Sequence, residues 1–143
     1  MEQVKLRNQI EDKYKWDLTP MFASDEKWQE EFDALSAKLP MLDEYAGRLD
    51  CEENILACLK LSDELSASYG ELYVYAYQRR DEDAGVAKYC AMCDKVDALG
   101  VKFGEKSAYI TPELTALDGE FLLALSRKEE FADYDYQLCE IVR

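Results

Sequence analysis

Apolar residues recur along most of this chain at alternating steps of four and three, the spacing that places them on one face of an α-helix. Three such series begin at Trp28, Ile55 and Val86. Their members are Trp28, Phe32, Leu35, Leu39, Leu42, Ala46 and Leu49; then Ile55, Cys58, Ser62, Leu65, Tyr69, Leu72 and Ala76; then Val86, Tyr89, Cys93, Val96, Gly100, Phe103, Ser107 and Ile110. The pattern predicts packed helices, the second from Asp50 to about Gln78 and the third from about Val86 to Tyr109.

The stretch Leu72–Tyr77 fits two periods. Its tyrosines alternate as in a strand, but no other segment offers an alternating partner strand, and a lone strand leaves its backbone groups unpaired. We therefore favour a helix. At 100° per residue this stretch carries apolar groups on every side, with Val74 and Tyr75 pointing away from the main series. A helix that is apolar all round is expected to be buried all round, so each tyrosine is interpreted as core rather than as a binding residue.

Local signals mark the predicted helix ends. Thr19 before Pro20 fits an N-cap followed by proline, and this turn is expected to carry four apolar side chains inward, namely Trp16, Leu18, Met21 and Phe22. Ser24 is the next N-cap candidate, with acidic residues at 25 and 26 suiting a helix N-terminus. Pro40 predicts a kink or break. Residues 1–23 are thus predicted to form an extended arm and a turn, and residues 24–143 helices, within one domain over 1–143.

Further signals shape the remaining helices. Asp50 followed by Glu53 resembles a capping box. Gly70 lies inside the second helix, where a close crossing by a neighbour would explain it. Thr111-Pro112 predicts another capped start, and Asp118-Gly119 an interruption. Ile141-Val142-Arg143 carries no stop signal, so the chain is predicted to end inside an element.

Composition narrows the class of protein. With 143 residues, 48% hydrophobic and 12% aromatic, the chain is long and apolar enough to fold. Its 17 basic and 31 acidic residues give a net charge of −14, which disfavours nucleic acid and anionic membranes as partners. It has no apolar run of membrane-spanning length and no signal-peptide core, which predicts a cytoplasmic location with its five cysteines reduced.

The sequence offers no catalytic, cofactor-binding or metal-binding residue. It has no histidine, so imidazole-based zinc sites and triads cannot be built from it, and it lacks the glycine-rich nucleotide-binding motifs. Cys90 and Cys93 form a CxxC without a second pair, and we interpret them as thiols in the middle of a helix rather than as a metal or redox site.

Three segments resemble oligoendopeptidase F, a zinc metallopeptidase of the thimet-oligopeptidase-like superfamily. They are Glu11 to Trp28 (EDKYKWDLTPMFASDEKW), Leu72 to Asp83 (LYVYAYQRRDED) and Phe131 to Leu138 (FADYDYQL). The resemblance implies an all-α, antiparallel bundle of three to five helices, two or three of them long, from the N-terminal region of a larger helical metallopeptidase. It implies that the zinc motif lies outside this chain, that zinc and an oligopeptide substrate belong to the parent enzyme, and that the rest of that polypeptide, its catalytic domain, is the partner.

Two functions follow as hypotheses. In the first, the chain is the N-terminal helical part of a peptide-cleaving zinc enzyme, forming one wall of the peptide channel without catalysing. In the second, it is a stand-alone acidic helical module that binds another protein through the same apolar surface.

Overall fold

The computed structural model describes residues 7–143, and this part of the chain is built from helices without a strand. The α-helices are α1 (Asp25–Lys38), α2 (Glu52–Glu82), α3 (Ala87–Ser107), α4 (Ile110–Thr115), α5 (Gly119–Leu125) and α6 (Asp135–Val142). Short 3-10 helices span Arg7–Gln9, Asp12–Tyr14, Leu39–Tyr45 and Glu129–Tyr134. The predicted all-α class is confirmed. The first six residues of the predicted arm lie outside the described residues.

The turn before α1 forms as predicted but with a different cap. Asp17 Oδ1 accepts hydrogen bonds from both the backbone N–H (3.0 Å) and the hydroxyl (2.6 Å) of Thr19, so Thr19 donates where it was expected to cap. Leu18 and Phe22 are buried, whereas Trp16 is 64% exposed. The expectation that Trp16 packs inward is therefore wrong for this chain.

Pro40 ends α1 as a regular helix. α1 stops at Lys38 and the chain continues as the 3-10 helix Leu39–Tyr45, with Pro40 in its first turn, where a missing backbone N–H costs no hydrogen bond. Ser24 caps the other end of α1, its Oγ lying 3.4 Å from the N–H of Lys27. Both predictions are confirmed.

α2 contains 31 residues and includes Leu72–Tyr77, so the prediction of a helix rather than a strand for this stretch is confirmed. It extends four residues beyond the predicted end at Gln78. Its predicted inner series is buried at Ile55, Cys58, Leu65, Leu72 and Ala76. No neighbour within the described residues crosses α2 at Gly70, because a Cβ added there would meet no atom within 4 Å.

The chain divides into two compact units. The first combines residues 7–36 with Ala67–Gly100. Within it α2 and α3 run antiparallel, since Tyr77 near their connecting turn meets Asp97, while Tyr69, farther from that turn, lies against Gly100. A Cβ at Gly100 would lie 2.9 Å from Tyr69 Cζ, so this position requires glycine or a shift of the ring. The Tyr69 ring therefore packs closely against Gly100.

The buried side of α3 is displaced from the predicted series. Cys93 and Val96 are buried as expected, but Met92 and Leu99 are buried as well, while Val86, Tyr89 and Phe103 are only half-buried. The predicted series rests on spacing alone. The buried side of α3 also includes Met92 and Leu99, each one position before a member of that series.

The second unit combines Ala37–Ser66 with Val101–Arg143. Its fully buried side chains include Leu42, Ile55, Leu114, Phe131 and Leu138, each worth about 1.5 to 3 kcal/mol of burial. The Tyr109 hydroxyl donates to the Leu42 carbonyl at 2.6 Å and lies 3.5 Å from Cys58 Sγ.

Helix starts in this second unit differ from the predictions. α4 begins at Ile110 with Tyr109 in the N-cap position, so Thr111 lies inside the helix, where its carbonyl accepts a hydrogen bond from the Thr115 hydroxyl. Asp118 is the N-cap of α5 and accepts from the Phe121 N–H at 3.0 Å. The Asp118-Gly119 pair therefore starts a helix as well as interrupting one.

Candidate functional site

The sequence predicts no catalytic or metal-binding residue. Residues 7–143 hold no group of three or more His, Cys, Asp or Glu side chains that could bind a metal ion. Cys93 is buried and Cys90 half-buried on α3, and all five cysteines are free. Burial raises the pKa of the Cys93 thiol, which opposes thiolate chemistry there.

A charge cluster in the first unit surrounds Asp25, at the start of α1. The Tyr75 hydroxyl donates to Asp25 Oδ1 at 2.8 Å, and Lys88 Nζ lies 2.7 Å from Oδ2. Arg79 Nε lies 3.5 Å from Oδ1. The Asp25 side chain is 12% exposed. Helices α1, α2 and α3 thus each contribute a group to one partly buried set of charges.

Arg79 occupies the middle of this cluster. Its guanidinium lies over the rings of Tyr75 and Tyr89, 5.5 and 5.2 Å from their centroids, and its Nη1 lies 3.1 Å from Glu82 Oε2. Arg7 also pairs with Glu82, which ties the 3-10 helix Arg7–Gln9 to the end of α2. Each carboxylate therefore faces more than one cation, an arrangement of structural ion pairs rather than of a poised acid and base.

Asp25 makes stability depend on acid pH. Burial alone would raise the pKa of this carboxyl, but hydrogen bonds from Lys88 and Tyr75 and the charges of Lys88 and Arg79 outweigh it, so its pKa is lowered. A lowered folded-state pKa contributes stability above the unfolded-state value, and this contribution is lost as pH falls through the folded-state value. We expect Asp25→Asn to lose less stability than the parent between about pH 5 and pH 2.

The comparison is made by urea unfolding across that pH range. Asp94→Asn removes an exposed carboxylate from α3 and serves as the charge-matched control. If the free energy of unfolding falls equally with acid pH in the Asp25→Asn and Asp94→Asn variants, the cluster does not respond to protonation of Asp25.

The second feature of the first unit is an uncharged, outward-facing surface on α2, which we call the open face: Ala67, Gly70, Tyr73, Val74 and Tyr77. Tyr73 and Val74 are 37% and 41% exposed. The Tyr73 and Tyr77 rings stack with centroids 4.2 Å apart and planes 22° apart. The Tyr77 hydroxyl donates to Asp97 at 2.8 Å, and Arg80 lies over its ring. The open face is thus an ordered aromatic surface in a chain of which 34% is charged.

The open face corrects the prediction that Leu72–Tyr77 is buried all round. Tyr75 is 1% exposed: its ring packs edge-to-face with Phe22, with centroids 5.3 Å apart, and its hydroxyl donates a hydrogen bond to Asp25. Val74 points away from the buried series, as predicted, but it meets solvent. A core interpretation therefore holds for Tyr75 and is wrong for Tyr73.

No family model matches the chain, but several individual proteins are similar to it. Oligopeptidase PepF of Bacillus subtilis is 31% identical over 151 aligned residues, covering 100% of this chain. The group B oligopeptidase PepB of Streptococcus agalactiae is 34% identical over 91% of the chain, and the chromosomal oligoendopeptidase F of Lactococcus lactis is 35% identical over 93%. The chain spans only 22 to 23% of the length of these relatives.

A solved structure agrees with these relatives. The crystal structure of a candidate peptidase from Chlamydophila abortus superposes with a TM-score of 0.88 at 26% identity, over 99% of this chain and 24% of that one. The fold and the relatives together show which class of protein this chain resembles, namely a helical region of peptidases. More narrowly, the chain is homologous to one region of oligoendopeptidase F, so the resemblance carried by Glu11–Trp28, Leu72–Asp83 and Phe131–Leu138 is confirmed.

Proposed function

We propose that this chain is the N-terminal helical part of an oligoendopeptidase F-like zinc metalloendopeptidase that hydrolyses short peptides. In this proposal it forms one wall of the peptide channel and does not catalyse. The observation that supports it is coverage: the match spans 91 to 100% of this chain but only 22 to 23% of each relative. The remainder of the polypeptide, with the catalytic domain, is then its partner.

The zinc that the resemblance implies does not fit the residues of this chain. Zinc in peptidases is held by histidine nitrogen and carboxylate oxygen, and this chain has no histidine. No metal-capable cluster occurs in the part of the chain that the structure describes. In the proposal the metal and the hydrolytic step therefore belong to the other part of the enzyme, and no step is assigned to these residues.

A chimera tests the proposal directly. The region of Bacillus subtilis PepF that aligns with this chain is replaced by this chain, and hydrolysis of a quenched fluorescent peptide is measured. PepF with the region deleted is the matched control. We expect the chimera to cleave the peptide and the deletion variant to be inactive. A folded but inactive chimera, or chelator-sensitive cleavage by the isolated chain with added zinc, would contradict the proposal.

The open face also favours a second candidate, an acidic helical module that binds another protein. The two candidates differ in the gene. Reading the transcript beyond codon 143 is expected to show a continuing frame with His-Glu-x-x-His, whereas a stop codon at that point would favour the module.

A further inference from the structure

The open face of α2 lacks the features of a solvated helix surface. Ala67, Gly70, Tyr73, Val74 and Tyr77 occupy neighbouring turns and carry no charge, although α2 itself begins and ends in charged residues. Exposed helix faces are ordinarily charged and polar, because apolar groups there remain in water. The face is therefore composed like a surface that meets another part of a protein.

Gly70 lies at the centre of this face. Glycine is disfavoured inside a helix, and an alanine Cβ at this position would meet nothing within 4 Å in this chain. The chain alone thus gives no packing reason for glycine. A glycine at such a position permits the close approach of another backbone.

We propose that Gly70 is the crossing point at which a helix from the remaining part of the peptidase polypeptide packs on α2, with its side chains between Val74 and the stacked rings of Tyr73 and Tyr77. This inference rests on the proposed function. A helix fits the face because it satisfies its own backbone hydrogen bonds. An extended peptide would need polar partners, and the Tyr77 hydroxyl is already donated to Asp97.

The occupant follows from what the relatives contain. This chain corresponds to 22% of Bacillus subtilis PepF and to 24% of the Chlamydophila abortus chain. More than three quarters of each polypeptide thus lies outside the aligned region and can supply the helix that covers the open face. With a net charge of −14, two copies would also repel each other.

The test compares two substitutions on α2 with the same two on α3. Gly70→Ala and Val74→Lys change the open face, while Gly104→Ala and Val101→Lys are matched controls: a Cβ at Gly104 also meets nothing within 4 Å, and Val101 is 64% exposed. Each variant is made in the isolated chain and in the PepF chimera, and the unfolding temperature (Tm) is measured by circular dichroism.

In the isolated chain we expect Gly70→Ala and Gly104→Ala each to raise Tm by about 2 to 4 °C, because alanine favours helix. In the chimera Gly70→Ala is expected to lower Tm by about 2 °C or more, since its methyl group meets the crossing helix, whereas Gly104→Ala keeps its stabilising sign. Val74→Lys is expected to lower Tm only in the chimera, and Val101→Lys in neither.

The outcomes separate this inference from the proposed function. An unfolded or inactive chimera overturns the proposed function and this inference with it. An active chimera in which Gly70→Ala still raises Tm, or in which the α3 controls behave as the α2 variants do, overturns the crossing helix alone. A higher KM for Val74→Lys with unchanged Tm overturns it as well, in favour of a peptide lying on the open face.

Discussion

Trp28→Ala is expected to lower the free energy of unfolding of this chain by about 3 to 5 kcal/mol, the range for removing a buried tryptophan. Trp28 is 1% exposed, its ring stacks on Phe32 at 5.3 Å, and its Nε1 donates to the Leu72 carbonyl at 2.9 Å. The alanine variant loses this packing between α1 and α2 and leaves the ring's volume empty. Equilibrium unfolding in urea, followed by circular dichroism, measures the loss.

The other tryptophan supplies the control. Trp16 is 64% exposed, so Trp16→Ala is expected to stay within about 0.5 kcal/mol of the parent. Similar losses for the Trp16→Ala and Trp28→Ala variants would show that the packing of α1 on α2 does not dominate the stability of this unit.

Arg79→Ala is expected to cost about 2 to 3 kcal/mol, somewhat less than the loss of one partner from a fully buried ion pair, because the Arg79 side chain is 28% exposed. The substitution leaves Glu82, whose side chain is 5% exposed, with Arg7, and it takes the flat guanidinium from between Tyr75 and Tyr89. Arg79→Lys is expected to recover less than half of the loss, because an ammonium group cannot form the bidentate hydrogen bonds of a guanidinium or stack flat on aromatic rings.

The next residue in the chain is the control for Arg79. Arg80 pairs with its neighbour Asp81 and lies over the Tyr77 ring with its side chain 36% exposed. Arg80→Ala is expected to cost less than about 1 kcal/mol, the range for exposed pairs. Equal losses at Arg79 and Arg80 in urea unfolding would contradict the central position assigned to Arg79.

Helix class and approximate helix bounds could be predicted because they depend on local spacing. Pro40 and Ser24 act through their own backbone or side chain, so their effects on α1 can be predicted from the sequence. Thr19 and Thr111 are predicted to cap helices but do not, because a Thr-Pro pair fits more than one turn and neighbouring contacts decide which residue takes the N-cap position.

The Asp25 cluster could not be predicted. Asp25 was interpreted only as a favourable charge at a helix start, and its partners Tyr75 and Lys88 lie 50 or more residues away along the chain. Nothing in local spacing joins them. The open face was half predicted: its apolar character is visible in the sequence, but only the packing of Phe22 on Tyr75 shows which side of α2 is covered.

The unequal exposure of Trp16 and Trp28 gives the molecule two optical reporters with different surroundings. Collisional quenchers dissolved in the buffer reach the indole at position 16 and are kept from the one at position 28. Fluorescence of the unlabelled chain therefore carries separable signals, one from the segment ahead of α1 and one from the interior beneath it.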